Sequence, residues 1–196
     1  KTMQLNLSIE APDRPPHACL VLGVFSNEKP PRGPCGLIDW RLNGMISREI
    51  KKGRILGRFQ EQVIIPGPGR IGSQLLFLFG MGDAAQADYD RIYTTAYDIA
   101  AAVDKMRMKD FSMDLPGAGR CDLSTSGIVE AVVTGWFDYF STDVHKLAAA
   151  KICMIAEKSF SKDIAQGLER FEKNVRHLGS VDLSAVWELL HQGKAV

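Results

Sequence analysis

The 196-residue sequence predicts one α/β domain in which a mixed six-stranded sheet lies between two layers of helices. Short apolar segments of strand length follow one another early in the chain, and later segments alternate with amphipathic helical segments. No repeat, low-complexity tract or charged linker divides the chain. Adjacent early strands followed by a β–α alternation are typical of a three-layer α/β/α sandwich, so residues 1–196 are predicted to form a single domain.

Six segments have the pattern of β-strands. Residues 3–9 alternate apolar and polar side chains, which is the period of a half-buried strand at the edge of a sheet. Residues 18–25 are almost continuously apolar, as expected of a central strand covered on both faces. The remaining four strands are predicted at residues 62–65, 75–79, 111–115 and 151–156.

Helices are predicted where apolar residues recur every three or four positions. The first is expected over residues 38–53 and ends at Gly53. Asp88 and Ser124 have side chains that favour the N-cap position, so each is expected to begin a long helix. An amphipathic helix over residues 164–178 and a short helix over residues 183–190 complete the chain.

Composition and charge exclude several classes of protein. Twenty-four basic and 23 acidic residues leave a formal net charge of +1, too small to attract a polyanion, so nucleic acid is not an expected partner. No apolar run approaches the ~18 residues of a membrane span and no leader opens the chain, so we expect a cytoplasmic protein without a membrane partner. The four cysteines form no C-x-x-C pair and the histidines lack zinc-site spacing, so neither a metal nor a cofactor is expected.

A series of short motifs runs from residue 37 to residue 119. In chain order the motifs are Ile-Lys-Lys-Gly at 50–53, Gly-Arg at 57–58, Val-Ile-Ile-Pro at 63–66, Gly-Met-Gly at 80–82 and an alanine-rich helix at 89–106. This order resembles the amino-terminal, non-catalytic domain of the leucine aminopeptidase family. The resemblance implies a fold similar to the macro domain, a six-stranded mixed sheet between helices, which agrees with the elements predicted above.

The same resemblance implies a role in assembly. In the family, this domain contributes to oligomers and precedes a catalytic domain that binds two metal ions. The peptidase motif Asn-Thr-Asp-Ala-Glu-Gly-Arg does not occur in this sequence, so peptidase activity and catalytic residues are not expected in it. We therefore expect a stand-alone assembly or regulatory module that forms a homo-oligomer, with a catalytic aminopeptidase subunit as a further candidate partner. If the chain is part of a longer peptidase, the peptidase activity belongs to the parent protein.

The first candidate ligand site is the segment Gly80-Met81-Gly82. It follows a strand, where backbone N–H groups and the dipole of the next helix can receive a phosphate. The full G-x-G-x-x-G spacing fails, because Ala85 occupies the third glycine position. The alternative interpretation is a tight turn whose glycines adopt positive φ.

The second candidate ligand site is Gly117, Ala118 and Gly119, directly after the fifth strand. The resemblance to macro domains implies that such a loop wraps the diphosphate of ADP-ribose, and Ser124 offers a hydroxyl at the start of the next helix. A structural turn is again the alternative. The alternative function is therefore binding or hydrolysis of ADP-ribose or a related small phosphorylated ligand.

The three tryptophans, Trp40, Trp136 and Trp187, all fall at helical positions. Large aromatic side chains at such positions anchor a core or an interface. We predict one of these two roles for each of them.

Overall fold

The computed structural model describes residues 2–14, 17–108, 110–175 and 180–192, and its framework is one seven-stranded mixed sheet. The strands in chain order are β1 Thr2–Ser8, β2 Cys19–Phe25, β3 Gln62–Pro66, β4 Leu75–Gly82, β5 Asp110–Asp114, β6 Lys151–Ile155 and β7 Ser180–Asp182. Their order across the sheet is β3-β4-β2-β5-β6-β1-β7. All neighbouring pairs are parallel except β3 with β4.

Helices cover both faces of this sheet. They are α1 Gly33–Arg41, α2 Met45–Lys51, α3 Tyr89–Lys105, α4 Thr125–Phe140, α5 Val144–Ala149, α6 Ser161–Val175 and α7 Ser184–Gln192. The first two pack on one face and the others on the opposite face. Two single turns of 3-10 helix occur at Ala84–Gln86 and Lys158–Phe160.

The central strand β2 shows how the sequence produces two cores. All seven of its residues are buried, and successive side chains of a strand point to opposite faces. Cys19 and Val21 therefore contribute to the core beneath α3, α4, α6 and α7, whereas Leu20 and Leu22 contribute to the core beneath α1 and α2. The continuous apolar run is explained by burial on both faces.

The predicted three-layer α/β/α sandwich with a mixed sheet is confirmed, but the predicted strand count of six is wrong. The structure has a seventh strand, β7, which pairs with β1 at the sheet edge. It is three residues long, and so short a segment gives no readable alternation. Helix α5 was not predicted either.

Two boundaries also differ from the sequence prediction. The single helix predicted over 38–53 is interrupted between α1 and α2, because Asn43 and Gly44 have φ angles of 55° and 72°, which no right-handed helix accommodates. Strand β4 continues to Gly82, so Gly80 lies within a strand and not in a turn. Residues 176–178 of the helix predicted over 164–178 lie outside the described residues.

The two predicted N-caps are confirmed. The carboxylate of Asp88 accepts the N–H of Arg91 at 2.7 Å, and the hydroxyl of Ser124 accepts the N–H of Gly127 at 3.2 Å. None of the described helices is long and apolar enough to cross a membrane.

The three tryptophans have different environments. Trp136 is fully buried in the larger core, which confirms its predicted role as a core anchor. Trp187 is half-buried against the same core. Trp40 is 68% exposed on α1, so it is not a core residue.

Candidate functional site at the carboxyl edge of the sheet

The carboxyl ends of β2, β5, β6 and β1 meet at one edge of the sheet. Strand β2 leads to α1 on one face, and its neighbour β5 leads to α4 on the opposite face. Adjacent parallel strands whose connections leave to opposite faces create a crevice, and this is where open α/β sheets bind ligands. A ligand site is therefore expected at the crevice between β2 and β5.

A cavity of about 290 Å³ lies at this edge. Its walls come from the segments after β1 and β6 and from the first turn of α1. The residues that line it include Ile9, Pro12, Gly33, Leu37, Ala156 and Glu157. Most of these side chains are apolar, so the cavity suits a flat apolar group better than an ion.

Helix α1 begins at this cavity without a side-chain cap. Its N-cap residue, Arg32, makes no capping hydrogen bond, whereas Asp88, Ser124 and Asp143 cap their helices. The backbone N–H groups at the start of α1 carry the positive end of the helix dipole. An uncapped start of a nine-residue helix favours an anion beside the cavity.

Arg120 belongs to the loop after β5 and contacts the loop after β2. Its guanidinium forms an ion pair with Glu28, and the two side chains are only 17% and 13% exposed. The same guanidinium lies 5.5 Å from the centre of the Phe25 ring. A Cβ atom at Gly33 would lie 2.9 Å from Arg120 Nε, so a glycine is needed there for the arginine to approach the start of α1.

Asp114 is a buried carboxyl group close enough to the Arg120–Glu28 pair to interact with it electrostatically. Asp114, the last residue of β5, is fully buried, and its Oδ1 accepts the N–H of Gly23 at 3.4 Å. Its Oδ2 has no hydrogen-bond partner among the described residues. Burial raises the pKa of Asp114 to about 6, and the positive charge of Arg120 opposes this shift. The charge of the site therefore changes just below neutral pH.

The predicted residues Gly117, Ala118 and Gly119 form a turn directly before Arg120. Gly117 and Gly119 have φ angles of 78° and 70°. The N–H of Ala118 donates to the carbonyl of Leu115 at 3.2 Å, but the N–H groups of Gly117 and Gly119 have no acceptor in the described parts of the chain. Backbone N–H groups in such a turn form a concave anion site.

The predicted residues Gly80 and Gly82 have a different environment. Their N–H groups donate to the carbonyls of Glu61 at 2.7 Å and Gly57 at 2.8 Å. A Cβ atom at Gly80 would lie 1.9 Å from the carbonyl oxygen of Arg58. The glycines thus allow the segment 57–61 to pack closely on β4, and their N–H groups already have acceptors.

Ser124 lies apart from the cavity, at the start of α4. Its exposed hydroxyl caps that helix and lies 2.9 Å from the hydroxyl of Tyr89. It is not among the residues that line the cavity at the carboxyl edge. Gly117, Ala118 and Gly119 lie in the loop after β5, directly before Arg120, and do not line the cavity either; Ser124, Gly80 and Gly82 have hydrogen-bond partners elsewhere.

Sequence reasoning missed Glu28, Asp114 and Arg120. An arginine directly after a glycine-rich turn is a readable signal of an anion site. Glu28 and Asp114 gave no such signal, because their role depends on contacts between segments about 90 positions apart.

The two cysteines near the site are not activated. Burial raises the pKa of the Cys35 thiol, and Asp114 and Asp39 add to the shift. Burial also raises the pKa of Cys121. Both thiols are therefore protonated at neutral pH and are poor nucleophiles. No cluster of three metal-binding side chains occurs among the described residues.

Comparison with solved structures places this fold among the macrodomains. The macrodomain of Oceanobacillus iheyensis with ADP matches with a TM-score of 0.69 and 8% identity over 88% of this chain and 92% of that chain. The Trypanosoma brucei macrodomain in complex with ADP-ribose matches with a TM-score of 0.62 and 11% identity over 82% of this chain and 64% of that chain. At such identities the likeness establishes the macrodomain-like α/β fold alone.

Tomato leucine aminopeptidase also matches in part. Its TM-score is 0.57 and its identity 16%, over 84% of this chain and 35% of that chain. The likeness thus covers about a third of the peptidase and extends to the fold, not to membership of that family. No protein-family model matches the sequence, and no curated protein sequence does.

Proposed function

We propose that this chain binds ADP-ribose or a related nucleoside diphosphate at the carboxyl edge of the sheet. One observation carries the proposal: Arg120 follows a turn whose Gly117 and Gly119 N–H groups have no described acceptor, and it lies against Gly33 at the uncapped start of α1, which lines the apolar cavity. The diphosphate lies against the turn and Arg120. The nucleoside occupies the cavity.

Each part of the site fits the chemistry of such a ligand. Phosphate oxygens accept hydrogen bonds from backbone N–H groups at helix starts and glycine-rich turns. A guanidinium binds phosphate through two parallel hydrogen bonds, and Arg120 must exchange its contact with Glu28 for the ligand to do so. A cavity of about 290 Å³ lies at the lower end of small-molecule sites and suits one nucleoside.

The solved macrodomains support the proposal by analogy. Two of the matching structures contain ADP or ADP-ribose. Fold analogy alone does not assign a function, so the geometry around Arg120 is the stronger support. The proposal covers binding, and the protonated thiols of Cys35 and Cys121 are not offered as nucleophiles.

Isothermal titration calorimetry with ADP-ribose tests the proposal. Wild type is expected to release or absorb heat with 1:1 stoichiometry, and Arg120→Met to bind about 10–100-fold more weakly, because a charge-assisted hydrogen bond contributes about 1.5–3 kcal/mol. Arg170→Met is the matched control, since Arg170 pairs with Glu130 at 3.4 Å away from the crevice. No heat with wild type would overturn the proposal.

Glu28→Gln is expected to strengthen ligand binding, whereas Arg120→Met is expected to weaken it. The substitution removes the carboxylate that competes with phosphate for Arg120 and leaves a side chain of similar size. We expect ADP-ribose to bind more tightly to this variant by about two- to tenfold, which corresponds to up to about 1.4 kcal/mol. Weaker binding would mean that Glu28 positions the arginine for the ligand.

A second candidate function is self-assembly, and the exposed Trp40 favours it. This indole is 68% exposed on α1, with the guanidinium of Arg41 5.0 Å from its ring. Tryptophan and arginine are enriched at the centres of protein interfaces. The partner in this proposal is a second copy of the chain.

Sedimentation velocity tests the self-assembly proposal. The wild-type chain is expected to form a dimer or larger oligomer at micromolar concentration, and Trp40→Ser is expected to dissociate it. A wild-type monomer at all concentrations contradicts self-assembly without affecting the nucleotide proposal.

A further inference from the structure

Strand β3 forms one edge of the sheet, and its outer side pairs with no strand that the structure describes. An edge strand presents N–H and C=O groups that can pair with another strand, and proteins often prevent this with charged side chains. Residues 62–66, Gln-Val-Ile-Ile-Pro, carry no charge. The carboxylate of the preceding residue, Glu61, accepts the N–H groups of Leu56 and Gly57. The edge therefore lacks the charges that usually prevent pairing.

The direction of the backbone groups of β3 follows from two hydrogen bonds at its ends. The carbonyl of Glu61 accepts the N–H of Gly80 at 2.7 Å, and the N–H of Gly67 donates to the carbonyl of Gln74 at 2.9 Å. Alternate residues of an antiparallel strand face the neighbouring strand. Because residues 61 and 67 both face β4 and the register between them is regular, residues 63 and 65 face β4 as well. Residues 62, 64 and 66 therefore direct their backbone groups to the open edge.

This pattern is complementary to a second copy of itself. If two β3 strands run antiparallel with Ile64 opposite Ile64, the N–H of each isoleucine donates to the carbonyl of the other. The N–H of Gln62 then lies opposite the carbonyl of Pro66 in the other copy. Pro66 has no N–H, and the open side of an edge strand is where a proline is tolerated. Each outward N–H of residues 62–66 thus finds an acceptor.

The side chains of β3 fit the same pairing. Ile64 is 46% exposed, and in the pair it packs against its counterpart on one face of the sheet. On the other face, Val63 of one copy lies opposite Ile65 of the other, and both residues pack against the core beneath α1 and α2. β-branched side chains that lie directly opposite each other stabilise a pair of strands. The pairing therefore extends the apolar surface on both faces of the sheet.

We propose that β3 binds the β3 strand of a second copy of this chain, which makes one continuous sheet across a two-fold axis at Ile64. Such a contact uses the same surface on both copies and closes on itself, so it produces a dimer. It requires neither the nucleotide site nor Trp40. The inference therefore stands or fails separately from the two functions proposed above.

Sedimentation velocity tests whether this edge forms the dimer. Wild type is expected to dimerise at micromolar concentration and Ile64→Lys to be monomeric, because the two-fold axis places the two ammonium groups opposite each other. Val144→Lys is the matched control, since Val144 is 62% exposed on α5, which packs against β1 and not β3. This control is expected to dimerise as wild type does. A dimer that persists in Ile64→Lys would overturn the inference.

Amide hydrogen exchange, followed by NMR, identifies the paired surface. In the wild-type dimer the amide of Gln62 should exchange at least about tenfold more slowly than in Ile64→Lys, because only the dimer gives it an acceptor. The amides of Val63 and Ile65 face β4, so they should exchange at similar rates in both proteins and show that the variant is folded. A wild-type monomer at all concentrations, or equally fast exchange of Gln62 in both proteins, would overturn the inference.

Discussion

The two glycine-rich segments of this chain have similar sequences and different surroundings. Gly80 and Gly82 belong to β4, and their N–H groups donate to the carbonyls of residues 57–61. Gly117 and Gly119 belong to a turn after β5, and their N–H groups have no acceptor among the described residues. The first segment permits two backbones to approach closely, whereas the N–H groups of the second are not used by any described acceptor.

The difference teaches that a glycine pattern does not define a phosphate site. The role of a glycine-rich segment depends on whether its N–H groups already donate hydrogen bonds to another segment of the chain. Substitution distinguishes the two roles, because replacing a packing glycine lowers stability whereas replacing a donor glycine lowers ligand affinity.

Gly80→Ala is expected to have the largest effect. Its Cβ would lie 1.9 Å from the carbonyl oxygen of Arg58, which is backbone and cannot turn away. We expect a loss of about 3 kcal/mol or more in the free energy of unfolding, or failure to fold. Urea denaturation followed by circular dichroism measures it. A stable variant would mean that residues 57–61 do not pack on β4 as described.

Asp114→Asn is expected to remove a pH dependence of stability. The pKa of Asp114 in the folded protein, about 6, lies above the ~3.9 of an unfolded chain, so the folded state binds an extra proton between these values. The resulting stability is present below pH 4 and is lost as the pH rises through about 6. The asparagine side chain does not titrate in this pH range, so the variant lacks this pH dependence.

The measurement is the free energy of unfolding of both proteins between pH 4 and pH 7. The free energy of unfolding of wild type, relative to that of Asp114→Asn, should decrease by about 2 kcal/mol from pH 4 to pH 7. A constant difference would mean that Asp114 is not buried as a carboxyl group with a raised pKa.

Gly119→Ala tests whether the turn after β5 binds the ligand. Its φ of 70° costs an alanine about 1–2 kcal/mol of stability, and the added methyl narrows access to the N–H groups of the turn. Gly67→Ala is the matched control, because Gly67 has a φ of 53°, nothing within 4 Å of its Cβ position and no part in the crevice. Gly119→Ala should lose somewhat more stability than the control, because its Cβ would also lie 3.2 Å from the Phe160 ring, and only Gly119→Ala should lose affinity for ADP-ribose.

Ser124→Ala is expected to have the smallest effect. Loss of this N-cap costs about 1 kcal/mol of stability, since the N–H of Gly127 loses its acceptor. Affinity for ADP-ribose should stay the same, because the hydroxyl lies outside the crevice. Weaker binding would instead support the sequence prediction that Ser124 contacts the ligand.

Much of the fold was readable from local patterns. The strands of five or more residues and the caps at Asp88 and Ser124 follow from periodicity and from side chains that act within three positions. The break between α1 and α2 was hidden, because apolar residues keep their helical spacing across Asn43 and Gly44. Strand β7 depends on pairing with β1, which lies at the opposite end of the chain.

Only part of the candidate site could be predicted from the sequence. The turn at residues 117–119 follows from its glycines and its place after a strand. The contact between Arg120 and Glu28 joins segments 92 positions apart. The carbonyls that accept the N–H groups of Gly80 and Gly82 belong to residues 57–61, whose sequence does not indicate this pairing. Such contacts are properties of the folded chain and leave no local pattern.

The most direct test of the nucleotide site is a two-dimensional ¹H–¹⁵N NMR titration of the chain with ADP-ribose. The account predicts that the backbone resonances of Gly117 and Gly119 shift on binding, while those of Gly80 and Gly82 stay in place. Unchanged spectra, or shifts confined to Gly80 and Gly82, would contradict it.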